Sequence, residues 1–306
     1  MAQVTTSLTE LDISRPAEGG EVGPLQSGWR LALREFAQNK LAVIGLTILA
    51  FFVLFCFAGP LVYHGAVLST NLGSSDLSPG TGHPFGTDDV GFDELALLMW
   101  GGRAALEVGF FAAIIGIGIG ALWGAVSGLV GGFADAFMMR VVDVFLSIPF
   151  LFIVLVVAVK YGASVLGLSL IIGGFTWLVP ARLVRGEVLS LRTRDFVAAA
   201  RAAGSTPWRL IRKHLLPNAL GVMIVNVTFN VADAILAVAA LGYLGYGLHY
   251  PTQDWGDMLS SGIQDLQNGY WWLVYPVGAC IVLVVMAANL VGDALRDALD
   301  VRLRRR

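Results

Sequence analysis

The chain has 306 residues, of which 56% are hydrophobic and 14% charged, with a mean hydropathy of +0.73. A soluble domain carries roughly 25% charged residues and could not hide this much apolar surface, so the composition excludes a soluble globular protein and specifies an integral membrane one. The formal net charge of -2 says little, because the charges are segregated along the chain.

Residues 1–28 are polar and contain Gly and Pro, and read as a flexible tail without the pattern of a signal peptide. A spanning helix needs about 20 mostly apolar residues. Six segments qualify: Leu41–Tyr63, Val108–Val130, Val141–Val159, Ala163–Ala181, Ala219–Leu241 and Trp271–Val291. The predicted fold class is an all-α integral membrane protein with six transmembrane helices. Pro149, Pro180 and Pro276 are expected to kink or end their spans.

Lys and Arg set the orientation. They crowd the N-terminal segment, the stretch Arg182–Lys213 and the C-terminus, and none lies in His64–Gly102 or Gly242–Tyr270. Six spans with both termini cytoplasmic satisfy the rule at every long segment. The two long loops then face outside, where Trp255, Trp271 and Trp272 suit an interfacial belt.

Along the second span Gly116, Gly120, Gly124, Gly128 and Gly132 recur every four residues. This is a small-residue face for close helix packing and no nucleotide fingerprint, since no strand precedes it. On the fifth span Asn226, Asn230 and Asp233 share one helical face. Either they line a path for a polar substrate or they hydrogen-bond between helices; the sequence leaves both open. Asp143 follows Arg140 by one turn and is expected to pair with it. Asn289, Asp293 and Arg296 share a face at the end of span six, with Arg296 expected to pair with Asp293 or Asp300 as a structural lock.

One polar, basic stretch interrupts the apolar pattern: "FVAAARAAGSTPWRLIRKHLLPN", from Phe196 to Asn218. Asp195 can cap a short alanine-rich helix, Phe196–Ala203, and Gly204 suits the left-handed position that ends it. Ser205 or Thr206 can cap a second helix with Pro207 near its first position. Trp208, Ile211 and Leu215 share a face of that helix, Arg209, Arg212 and Lys213 point elsewhere, and Pro217 is expected to close it before the fifth span. A positively charged connector that only fixes topology accounts for the charges, but not for two capped helices with an alanine face.

The chemistry of catalysis is missing from the pattern. None of the three lysines, Lys40, Lys160 and Lys213, follows a glycine, so the chain contains no phosphate-binding G-x-x-x-x-G-K-[ST] loop. His64, His83, His214 and His249 are scattered, and Cys56 and Cys280 lie in apolar runs without metal-ligand spacing. The expectation is no catalytic site, no metal, no cofactor in this chain and no nucleic-acid partner.

Ala199–Gly204 in the pattern AAxxxG, followed by His214–Pro217 as HLLP, resembles the EAA loop of ABC importer permeases, with Ala198 in place of the family's leading Glu. "HPFGTDDVGFDELALLMWGGRAALEVG" (His83–Gly109), "GYLGYGLHYPTQDWGDML" (Gly242–Leu259) and "NLVGDALRDALDVRLR" (Asn289–Arg304) resemble the dipeptide/oligopeptide/nickel branch, and its smaller, C-type permease above all. The resemblance covers roughly residues 29–306. It implies a type I importer permease with a cytoplasmic coupling helix-turn-helix at 195–218, in which Phe196, Ala199, Ala200, Gly204, Trp208, Arg209, His214, Leu216 and Pro217 meet the ATPase.

Domain organisation follows: a tail at 1–28, an amphipathic lead-in, first span and external loop at 29–103, a permease core with five spans at 104–292, and a cytoplasmic tail at 293–306. The implied partners are a second permease subunit forming a heterodimer, two ATPase subunits that bind ATP and Mg, an extracytoplasmic substrate-binding protein and the lipid bilayer of a bacterial inner membrane. Peptides are the implied substrate, with nickel or another small solute as the alternative. A secondary transporter would need inverted repeats and broken helices, and no internal repeat stands out.

Overall fold

A computed structural model describes residues 28–65, 70–80, 82–161, 164–248 and 253–304, with the side chains of 28–32 and 300–304 left undescribed. The expected tail at 1–28 lies outside the described residues except for Gly28, which starts the first helix.

Helix α1 (Gly28–Gln38) turns into α2 (Lys40–Phe57) at Asn39, whose side-chain oxygen accepts the N–H groups of Leu41 and Ala42 at 3.0 and 3.3 Å. A single turn, α3 (Gly59–Val62), follows. The long helix α4 (Glu94–Val130) has 37 residues, about 55 Å at 1.5 Å per residue. It starts 14 residues before the span expected at Val108 and runs across the expected domain boundary at residue 103. Asp93 caps it, accepting the Ala96 N–H at 2.9 Å, so the helix begins inside what the hydropathy pattern marks as loop. Helix α4 ends at Gly131, where φ is +71°.

Helix α5 (Gly132–Leu146) and α6 (Phe150–Tyr161) meet at a bend of 79°, in a break that contains Pro149. The third span is therefore not a straight Val141–Val159 helix. Helices α7 (Val165–Thr176) and α8 (Leu178–Leu191) bend by 45° at Trp177, within the turn that precedes Pro180. Next come α9 (Asp195–Ala202), α10 (Pro207–Leu210), and α11 (Leu216–Tyr243), the last two joined by a π-helical turn, Ile211–Leu215. Helix α12 (Trp255–Asp265) lies between α11 and α13 (Tyr275–Arg304), which has Pro276 in its first turn. The segment expected as a tail from residue 293 continues α13 to Arg304.

Among the described residues four helices are long and apolar enough to cross a membrane, or up to six if each bent pair is one span. Helix α4 is the hub, packing against α2, α7, α8 and α11. Its glycines make the approach to α8 possible. A Cβ at Gly120 would meet the Trp177 carbonyl oxygen at 2.7 Å, and one at Gly124 would overlap the Ala181 carbonyl oxygen. Gly116 and Gly128 meet Thr176 and Val188 in the same way, but Gly132 does not belong to this face: it lies past the helix end at φ +59° with open space around its Cβ direction.

Outward residues of α2 and α6 remain exposed, with Leu54, Phe152 and Val156 at 65–69%. Such a belt needs lipid or a partner to cover it. Of the three tryptophans expected in an interfacial belt, only Trp271 is exposed. Trp255 donates to the Leu98 carbonyl at 3.0 Å and Trp272 to the Thr87 carbonyl at 3.3 Å, both from buried positions. Their ring N–H groups find backbone partners, which removes the reason for an amphipathic ring to seek the interface.

Candidate functional site

The basic stretch folds into a rigid two-helix unit. Alanine favours α9, Asp195 sits in its first turn and Arg201 in its last, both matching the helix dipole. Arg194, not Asp195, holds the cap position, and no side chain caps the helix. The C-terminus closes as a Schellman turn: Ser205 N–H donates to the Ala200 carbonyl at 3.0 Å and Gly204 N–H to that of Arg201 at 2.9 Å. Gly204 takes φ +78°. Thr206 then caps α10, its hydroxyl oxygen accepting the Arg209 N–H at 3.4 Å, with Pro207 in the first turn.

Pro217 does not close this helix. The Leu216 N–H reaches back five residues to the Ile211 carbonyl, and this wider π turn carries the chain helically from Pro207 to Tyr243. A proline lacks the donor and crowds the preceding turn, and a π turn absorbs that defect.

Four buried aliphatics anchor the unit. Val197, Leu210, Ile211 and Leu215 pack with Ala121 and Ala125 of α4 and Val184 and Val188 of α8. At roughly 1.5–3 kcal/mol per buried side chain, this anchor far outweighs the strain of one turn. Trp208 does not join Ile211 and Leu215 on the buried face; it is 57% exposed, and Phe196 is 40% exposed. The Phe196 and His214 rings lie 6.4 Å apart. Ala199, Gly204, Arg209 and Pro217 are also exposed, while Ala200 and Leu216 are half-buried at the edge of the anchor.

Beneath the unit, a polar cluster ties three helices together. Arg185 of α8 donates to Asp135 of α5 from Nε at 2.5 Å and Nη2 at 2.6 Å, and Ser127 of α4 donates to the same carboxylate. Arg192 donates to the Gly128 carbonyl at 3.0 Å. Asp143 of α5 pairs with Arg182 of α8, not with the neighbouring Arg140, because the fold brings the longer-range cation to it. Among the described residues Arg296 forms no ion pair with Asp293, and the side chain of its other expected partner, Asp300, lies outside the described ones. The sequence alone gives no signal for the Asp135–Arg185 pair beyond an acid inside an apolar helix.

On α11 the three polar residues separate. Asn230 is 7% exposed with an unpartnered Nδ2, Asn226 donates to the Val222 carbonyl at 2.8 Å, and Asp233 is exposed. One turn beyond Asp233, Leu236 lines a groove of about 370 Å³ with Ile281, Val285, Met286, Asn289 and Asp293 of α13.

The opposite end of the bundle is acidic. Asp93 is fully buried, and its Oδ2 accepts from the Tyr63 hydroxyl at 2.7 Å and contacts His83 Nδ1 at 2.8 Å. Asp254 accepts the N–H groups of Leu248, Gly256 and Asp257. It fits only because Gly242 and Gly247 lack a Cβ that would occupy its carboxylate. Burial pushes the Asp254 carboxyl up to about 6 against those hydrogen bonds, and Asp88 likewise rises to about 6. Among the described residues no three His, Cys, Asp or Glu side chains are placed to hold a metal ion.

Residues 116–305 match the family model described as binding-protein-dependent transport system inner membrane component, and residues 27–79 match the N-terminal TM domain of oligopeptide transport permease C. The dipeptide transport system permease protein DppC of Bacillus subtilis is 39% identical over 277 residues, covering 90% of this chain and 86% of that protein. The oligopeptide transport system permease protein OppC of Haemophilus influenzae is 38% identical over 277 residues, covering 90% and 89%. Among solved structures, the inward-facing MetNI methionine ABC transporter matches with a TM-score of 0.52 and 25% identity, over 66% of this chain and 96% of that one.

Proposed function

This chain belongs to the binding-protein-dependent transport system inner membrane components, and from that premise we propose that it is one of two different permease subunits of an ATP-driven peptide importer. The relatives named for dipeptide and oligopeptide transport support the substrate class. The observation that carries the coupling role is the two-helix unit: four buried aliphatics fix its base while Phe196 and Trp208 are left exposed at its surface. A unit held that firmly transmits displacement rather than absorbing it.

Two ATPase subunits bind ATP and Mg, since this chain has no phosphate-binding loop. Their closure moves the units and reorients the bundle. The unit must bind the two ATPase states with different affinity, because equal binding would shift nothing. Of the polar residues of α11, the exposed Asp233 lines the path of a polar substrate, with Asn226 and the buried Asn230 behind it on the same helix, and an extracytoplasmic binding protein delivers that substrate to the acidic end. Both termini and the basic end face the cytoplasm of a multi-pass inner-membrane protein.

The test is peptide uptake by the complete complex with the phosphate-binding lysine of the ATPases replaced. Uptake should stop while assembly persists. Undiminished uptake with that lysine absent would refute an ATP-driven importer and favour a secondary transporter.

A further inference from the structure

The cations at the basic end fall into two groups. Arg182, Arg185 and Arg192 are engaged inside the bundle, by Asp143, by Asp135 and by the Gly128 carbonyl. Arg201, Arg209, Arg212 and Lys213, all on the two-helix unit, are exposed and form no ion pair among the described residues. The single acid between residues 195 and 218 is Asp195, in the first turn of α9. Topology alone requires cations near the ends of the spans; it does not require them beside Phe196, Trp208 and the exposed alanines.

Resting on the coupling role proposed above, we infer that the ATPase cleft receiving this unit is an apolar pocket rimmed by carboxylates. Phe196, Trp208 and the alanines fill the pocket, and the four unpaired cations meet the rim. Rim charges of this kind act on association rate and partner choice, and their effect is screened by salt. The unit thereby selects an ATPase of matching charge over one whose cleft is basic. An anionic lipid surface is the competing partner for the same cations. The protein cleft is favoured because the unit is a fixed shape, closed by a Schellman turn and anchored at its base, with aromatic rings and cations exposed together.

The experiment uses the whole transporter in nanodiscs and measures ATPase retained by the permeases. For the wild type, retention should fall as salt rises from about 50 to 500 mM, over which the screening length shortens several-fold. The double variant Arg201→Glu/Arg212→Glu should bind the ATPase about tenfold more weakly at low salt, with Arg201→Gln/Arg212→Gln in between and membrane insertion equal in all three. Lysines placed at the carboxylates of the ATPase cleft should restore the reversed permease. Retention indifferent to both salt and charge reversal would overturn the inference alone. So would a reversal effect that disappears when anionic lipids are replaced by zwitterionic ones. Absence of ATPase from the wild type at every salt concentration would overturn the importer reading and this inference with it.

Discussion

Arg185 holds Asp135 through two hydrogen bonds, from Nε at 2.5 Å and Nη2 at 2.6 Å, across fifty residues of chain, and its neighbours Val184 and Val188 pack against the two-helix unit. The pair joins α5 to α8, and Ser127 adds α4 to the same carboxylate.

Removing one partner leaves the other charge half-enclosed and unpaired. Asp135→Ala and Arg185→Ala should each lower the melting temperature of the complex, whereas the double variant should be less destabilised than the two losses combined. Thermal unfolding in detergent measures all three. Simple additivity would mean that the pair is not coupled.

Gly124 and Gly118 lie on α4 but face different surroundings. A Cβ at Gly124 would overlap the Ala181 carbonyl oxygen, while Gly118 has open space. Gly124→Ala should force α4 and α8 apart and reduce the assembled permease in the membrane. Gly118→Ala should be neutral or stabilise the helix by roughly 0.5–1 kcal/mol. Equal accumulation of the two variants would contradict the close α4–α8 contact.

Gly204 has φ +78° and no neighbour within reach of an added Cβ, so the cost of substitution is conformational. Gly204→Val should cost about 1–2 kcal/mol in the turn and uncouple the ATPases while the spans still insert. Gly204→Asn should retain most coupling, because Asn tolerates the left-handed region. Substrate-stimulated ATP hydrolysis in the reconstituted complex separates them; if both behave alike, steric contact at that position matters rather than the turn.

The orientation predicts accessibility. In a variant without Cys56 and Cys280, single cysteines at Ser75 and Gln264 should react with an impermeant thiol reagent added outside intact cells, and one at Ser205 should not. Labelling of the Ser205 position from outside would invert the topology.

Asp254 gives a pH dependence of definite sign. Its folded-state value, about 6 against an ordinary 3.8, means that the folded loop holds the proton more tightly than the unfolded chain. The group's penalty on folding is therefore complete above about pH 6 and fades as pH falls toward 3.8. Asp88 acts in the same direction. Melting temperature between pH 7.5 and 4.5 should contain a rise on acidification that Asp254→Asn diminishes, even though that variant is less stable overall from losing an acceptor. An unchanged pH slope in Asp254→Asn would show that Asp254 does not titrate in this range.

Much of the architecture was legible in the sequence, for physical reasons that are local. Apolar length marks Lys40–Phe57 and the helices around Val108–Val130 and Ala219–Leu241, because a bilayer demands a fixed number of apolar residues. Gly204 and Thr206 announce a turn and a cap by their own conformational preferences, and both take those roles. The four-residue glycine repeat marks a packing face without naming what packs there. The tertiary structure supplies α8, and it excludes Gly132, which the repeat includes but the break at Gly131 removes.

Partnerships between distant residues could not be read from the chain. Nothing near Asp143 distinguishes Arg140 from Arg182, and the packing of α5 against α8 decides for Arg182. Pro217 looks like a helix terminator until the five-residue π turn just before it, Ile211–Leu215, accommodates it. Trp255 and Trp272 look interfacial until the Leu98 and Thr87 carbonyls are found beside their ring nitrogens. Propensity and hydropathy are properties of a segment, so the sequence alone determined a helical membrane protein with a capped basic insertion. Ion pairs, buried donors and helix register depend on which segments approach in space, and those only the packed bundle decided.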